Sequence, residues 1–139
     1  TDGSSDAEAA LSHAIELASS SGAALYIVSV VETRTAYDNA IIDPEEVREN
    51  LRADAREALD RAESIASDAG LECHTVLEEG PPPERILDVI DEIGADAVVV
   101  GATGRSGFKR LVLGGTAERL LESASVPVIV IGGGSPDGE

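Results

Sequence analysis

The 139-residue sequence predicts an α/β fold built on an open, doubly wound parallel sheet. Three observations carry this reading. Apolar runs of strand length alternate with amphipathic helical segments along the chain. Each run is unbroken rather than alternating, as expected of strands covered by helices on both faces. A glycine-rich stretch follows one of these runs and leads into a helix, which is where open α/β sheets bind ligands.

The first helix is expected after the capping-box pattern SDAE at 5–8, with Ala7, Ala10, Leu11, Ala14, Ile15 and Ala18 at helical spacing. Ser19 to Gly22 end it, and ALYIVSVVE, 24–32, is a β-branched run of strand length. A polar loop spans Thr33 to Ile42. Asp43, Pro44 and Glu46 then open a long helix, with Val47, Leu51, Ala55, Ala58, Ala62, Ile65 and Ala69 on one face and Gly70 as its stop. A strand at 71–78 precedes GPPP, 80–83, a stiff turn whose last proline starts a third helix through Ile86, Leu87, Ile90 and Ile93. DAVVV, 96–100, is a short buried strand, TAERLLESA a fourth helix, and VPVIVI, 126–131, the last strand. Regular alternation places one more strand ahead of the first helix, so the sheet's first strand is expected to be absent from this chain. Residues 1–132 form a single domain, and GGGSPDGE has the composition of a flexible tail, assigned to 133–139.

Composition narrows the function. The net charge is −17, and Lys109 is the only lysine. No basic stripe exists to neutralise a run of phosphates, so nucleic acid is excluded as a partner. Scarce lysine and few large hydrophobics point to a protein of a salt-loving organism, where a strongly acidic surface stays hydrated and its self-repulsion is screened. Cys73 is alone, which leaves no disulfide framework and no CxxC site, and it reads as a small buried hydrophobe. Without a signal peptide or long apolar span, the expected location is cytoplasmic, with no membrane partner.

The stretch GATGRSGFKRLVLGGTAERL, 101–120, gathers Arg105, Lys109 and Arg110 within six residues of an otherwise acidic chain. Glycines let backbone N–H groups turn toward an anion, and the helix beginning near Gly115 adds its dipole and its unpaired N–H groups. The stretch is neither a phosphate loop of the G-x-x-x-x-G-K-[ST] type nor a G-x-G-x-x-G dinucleotide fingerprint. The bland alternative is a loop whose bases pair with surface carboxylates.

The spacing Gly101-x-x-Gly104, nine residues, then Gly114-Gly115-Thr116 resembles the G-x2-G-x9-G-[S/T] signature of the universal stress protein family. TDGSSDAEAAL is similar to that family's first strand-to-helix turn, and DAVVVGATGRSG and SVPVIVI to its fourth and fifth strands. The resemblance spans the chain and is specific for the ATP-binding branch. It implies a five-stranded sheet in the order 3-2-1-4-5, a homodimer through the last strand (Val126, Val128, Ile129, Val130), and a nucleotide-sensing role in the stress response. ATP is the implied cofactor, with Mg²⁺ or Mn²⁺ held through its phosphates. Thr1 and Asp2 are implied at the adenosine end, and Val30 against adenine. Gly101, Gly104 and Arg105 are implied along the ribose and phosphates, and Gly114, Gly115 and Thr116 around the phosphate chain. The sequence departs from the signature at Gly115, where a hydroxyl is expected, and Ala117 stands where some members offer another.

Catalysis has little support. His13 and His74 have no sequence-near nucleophile, and the pairs Glu45–Glu46 and Glu78–Glu79 read as solvated faces. No catalytic residue and no protein-built metal site is assigned. Slow ATP hydrolysis or self-phosphorylation, with Thr103, Ser106 or Thr116 as acceptor, stays open as an alternative. So does an interaction module that binds no nucleotide.

Overall fold

The computed structural model describes residues 1–32, 44–103 and 113–132. Helix α1, Ser5–Ser21, is followed by strand β1, Leu25–Val31, helix α2, Pro44–Asp68, and strand β2, Cys73–Glu79. Helix α3, Pro82–Ile93, strand β3, Val98–Gly101, helix α4, Gly115–Ser123, and strand β4, Val128–Ile131, complete the order. The expected alternation of helix and strand is present. The polar loop expected from Thr33 to Ile42, Asp43, and the tail at 133–139 lie outside the described residues.

α1 begins one residue earlier than its capping box implied. Ser4 has extended backbone and its Oγ accepts the Ala7 N–H at 3.3 Å, while its carbonyl accepts the Glu8 N–H at 2.9 Å. Ser4 is therefore the cap, and Glu8 falls one place too late to close a reciprocal box. Gly22, with φ 70°, ends the helix in the left-handed region that glycine adopts without steric cost. The buried face of α1 consists of Ala7, Ala10, Ala14 and Ala18, small side chains that bring the helix axis close to the strands beneath.

β1 and β2 pair in parallel, from Leu25 opposite Cys73 to Val31 opposite Glu79. Ile27, Ser29 and Val31 alternate into the interior along β1. Ile27 packs with Leu59, Ala62 and Ala66 of α2, and Leu11 and Ile15 of α1 close over the same cluster. The face assigned to α2 needs correction, because Ile65 is 54% exposed whereas Leu59 and Ala66 are buried. The positions chosen from sequence step by three or four residues through Ala58 and Ala62. The buried stripe of Ala58, Leu59, Ala62 and Ala66 is instead turned toward Leu59 and Ala66, which leaves Ile65 at its edge in solvent.

α3 starts at Pro82, with Pro81 as its cap residue, so the proline that opens it is the middle one of the three. Val89 and Ile90 are its buried positions. α3 and α4 pack on each other, and Arg119 reaches Glu84 at 3.4 Å across their exposed side. β3 and β4 pair in parallel, from Val98 opposite Val128 to Gly101 opposite Ile131.

Among the described residues the strands form two separate two-stranded sheets, β1–β2 and β3–β4, instead of one continuous sheet of five. α1 spans both, lying on β3 and β4 and touching β1. Among the described residues, no helix is long and apolar enough to cross a membrane.

Candidate functional site

The first six residues of the chain join the middle of β1 to the carboxyl end of β3. The Thr1 nitrogen donates to the Val28 carbonyl at 2.6 Å, which fixes the segment against β1. The segment then turns tightly: Thr1 Oγ1 accepts the Gly3 N–H at 3.2 Å, and Asp2 Oδ1 accepts the Ser4 N–H at 2.9 Å. Gly3 has φ 81°, a conformation that a β-carbon would strain.

At its other end the segment meets β3. A β-carbon on Gly101 would lie 2.9 Å from the Asp6 carbonyl carbon and 3.0 Å from the Ala7 nitrogen. Glycine is therefore required here so that the strand end can approach the backbone of α1. Just beyond, Asp6 Oδ2 accepts both the Thr103 N–H at 2.9 Å and the Thr103 hydroxyl at 2.7 Å. Ala102 ties the same region to the last two elements. Its N–H donates to the Ile131 carbonyl at 2.8 Å, and its carbonyl accepts the Gly114 N–H at 2.7 Å.

The start of α4 has a different character. Gly114 is its cap residue and supplies no side-chain hydrogen bond, so no side chain of its own satisfies the N–H groups of the first turn. Among the described residues, a β-carbon on Gly115 would meet nothing within 4 Å. Gly115 is exposed and Thr116 half-buried, whereas Ala117 is only 2% exposed and belongs to the core. The position where a second hydroxyl was considered is thus committed to packing.

Of the residues implied from sequence, Thr1, Asp2, Gly101 and Gly114 stand in this chain of contacts, and Gly115 and Thr116 continue from it into α4. Val30 lies on β1 two residues beyond Val28, opposite Glu78. Gly104 and Arg105, with Lys109 and Arg110, lie outside the described residues. Sequence reading gave Asp6 no role in the site, treating it only as part of a helix start. Nothing in local pattern marks its long-range bond to Thr103, since 97 residues separate the two.

Two surface crevices accompany these elements. One, of about 230 Å³, is lined by Asp2, Gly3, Asp54, Glu57, Ala58 and Arg61. Its three carboxylates against one guanidinium make it a poor cradle for phosphate, and Arg61 is already paired with Glu57 at 3.1 Å. The other, of about 310 Å³, lies between the end of α1 and Leu71–Glu72, and holds none of the implied residues. Near the carboxyl end of β2, Glu79 is engaged by both Arg48 and Arg52.

This architecture agrees with what known proteins show. The chain is 34% identical over 132 residues to a universal stress protein of Methanocaldococcus jannaschii, covering 94% of this chain and 78% of that one. The crystal structure of a universal stress protein family member from Burkholderia pseudomallei superposes with a TM-score of 0.75 at 32% identity, covering 94% of this chain and 90% of that chain. The universal stress protein of Archaeoglobus fulgidus, in complex with dAMP, gives a TM-score of 0.64 at 30% identity, with 92% of this chain and 89% of that chain covered. The family model of the universal stress proteins matches residues 1–132, from the β1-bound first segment through the last strand, and the chain belongs to the universal stress protein family.

Proposed function

We propose that this chain is an ATP-binding stress-response module that reports bound nucleotide through a dimer. The observation that carries the reading is the convergence of three segments at the carboxyl ends of the strands. The Thr1–Asp6 segment joins β1 to the β3 exit, and Ala102 joins that exit to the start of α4. Thr1, Asp2 and Val30 then serve the adenosine end. Gly101, Gly104 and Arg105 follow the ribose and phosphates, and Gly114, Gly115 and Thr116 present the first turn of α4 to the phosphate chain. The space around Gly115, open among the described residues, suits a phosphate approaching the backbone. The dAMP complex of the Archaeoglobus fulgidus relative supports a nucleotide as the ligand class. A Mg²⁺ or Mn²⁺ ion would be held through the phosphates. Titration of the full-length protein with ATP by calorimetry in high salt should show saturable binding; no heat at millimolar nucleotide would sink the reading.

The finer architecture follows the family's sheet order, 3-2-1-4-5. In that order β1–β2 and β3–β4 are two halves of one sheet, with a further strand between them leading into Thr1. The last strand provides the dimer contact. Val128, Ile129, Val130 and Ile131 are all only half-buried, and among the described residues β4 pairs with β3 alone. Replacing Ile129 with Asp should give monomers by light scattering, and an unchanged mass would reject this interface. A net charge of −17 supports a salt-rich working environment and, with the family assignment, a cytoplasmic one. The unfolding temperature should therefore rise with KCl, and a flat response would count against the salt-rich setting.

Gly115 favours a second reading, in which the loop has lost its ligand and the protein acts only through its partners. Nucleotide carried through purification would exclude it.

A further inference from the structure

We propose that Asp6 is a positioning residue for nucleotide binding: its carboxylate sets the path by which the chain leaves β3. The inference rests on the nucleotide reading above and deepens it. The observation is a two-part joint. Gly101 is pressed against the backbone of Asp6 and Ala7, with room for no β-carbon, and two residues later Asp6 Oδ2 takes both donors of Thr103, amide and hydroxyl. One residue of α1 thus holds the β3 exit by backbone contact and by side chain, immediately before Gly104.

A simpler role for Asp6 is favourable interaction with the dipole at the start of α1, where it shares the first turn with Glu8. Any carboxylate in that turn provides this, and it does not require contact with Thr103. The double acceptance by one oxygen does require it. Both donors of Thr103 are consumed by the protein, so neither remains to bind an anion. Thr103 therefore serves to fix the backbone, and donors for phosphate must come from elsewhere in the motif. Pre-fixing a binding loop reduces the ordering cost that a ligand would otherwise meet.

The same geometry separates position from charge. In Asp6→Asn the amide oxygen can still accept from both Thr103 donors, whereas Asp6→Ala removes the acceptor. The experiment measures AMP affinity by calorimetry and amide exchange at Thr103 without nucleotide, in wild type, Asp6→Ala, Asp6→Asn and Thr103→Val. Asp6→Ala should bind AMP about tenfold more weakly and exchange the Thr103 amide faster. Asp6→Asn should stay within about twofold of wild type in both readouts. Thr103→Val, which keeps the amide donor, should weaken binding by less than Asp6→Ala. If Asp6→Ala binds AMP as wild type does, this inference alone falls. Equal weakening in Asp6→Ala and Asp6→Asn overturns it as well, because charge and not position would then be responsible. No binding of AMP by wild type, with no binding of ATP in the titration above, overturns the nucleotide reading and this inference together, whereas absence of AMP binding alone overturns only this inference.

Discussion

The two ends of the strands are built on different principles. At the carboxyl end, elements distant in sequence are locked backbone to backbone: Gly101 on Asp6 and Ala7, Ala102 on Ile131 and Gly114, Gly80 on Val31. At the amino end, backbone bonds such as Leu25 N–H to the Glu72 carbonyl at 2.9 Å and Val98 N–H to the Pro127 carbonyl at 3.0 Å link only strands that are already paired. Contacts between exposed side chains are added to them. Tyr26 and His74 stack with ring centroids 4.7 Å apart, and His74 pairs with Glu72 at 2.9 Å. The larger crevice lies at this amino end, yet it is lined mostly by Ala, Ser and Gly and gathers no constellation of donors. Concavity alone would select the other end from the one proposed to bind nucleotide. What distinguishes the proposed end is the number of chain segments forced into close approach, together with the start of α4, whose cap residue Gly114 supplies no side-chain hydrogen bond.

The contrast is tested most severely at Gly101. Replacing it with Ala places a β-carbon against backbone atoms that cannot swing aside, and overpacking of this kind costs about 1–3 kcal/mol. Urea unfolding should show that loss, and nucleotide affinity should fall with it. An unchanged unfolding midpoint would mean that the approach of β3 to α1 is looser than described.

Gly115 tests the other half of the same end. Here a side chain meets no described residue, so Gly115→Ser introduces a hydroxyl at the start of α4 without a clash among the described residues. If that hydroxyl reaches phosphate, ATP should bind about five- to tenfold more tightly, on the order of 1 kcal/mol for one added hydrogen bond. Gly115→Ala is the control. It should stabilise the fold by about 0.4–1 kcal/mol through the unfolded chain, with no gain in affinity. Equal affinities for Ser and Ala variants would remove the phosphate from this turn.

These two glycines also show how far sequence could go. Spacing identified both and placed them in one motif, but it could not tell a glycine needed for packing from one whose β-carbon would meet no described residue. That difference depends on which backbone lies opposite, which is tertiary information. The same limit explains the missed role of Asp6, whose partner lies 97 residues away. Element order was readable because unbroken apolar runs and helix stops at Gly22, Gly70 and Gly94 are local signals. The face of α2 was misassigned because its many alanines fit neighbouring stripes equally well, and the strand packed beneath selects the one through Leu59 and Ala66. The division into two strand pairs was readable only through the family resemblance, whose order 3-2-1-4-5 leaves two pairs when the first strand is absent. Composition and periodicity do not set strand order, which depends on packing between segments.

The amino end offers the smallest effect, and it concerns Cys73. This half-buried thiol begins β2 and packs against the core cluster. Burial, with a smaller contribution from the Glu63 carboxylate, raises its pKa above the usual thiol range. The native state therefore holds the thiol proton to higher pH than the unfolded chain does. The associated stability is fully present below the unfolded thiol pKa, about 8.5, and is lost as pH rises through the higher native value. Wild type should lose unfolding midpoint more steeply over that alkaline range than Cys73→Ala, which has no proton to lose. The difference should be slight, because the thiol is only partly shielded from water. Parallel slopes for the two proteins would show that Cys73 is as well solvated as the Tyr26–His74 surface nearby. A distinctly steeper wild-type slope would mean instead that the core reaches the amino end of β2.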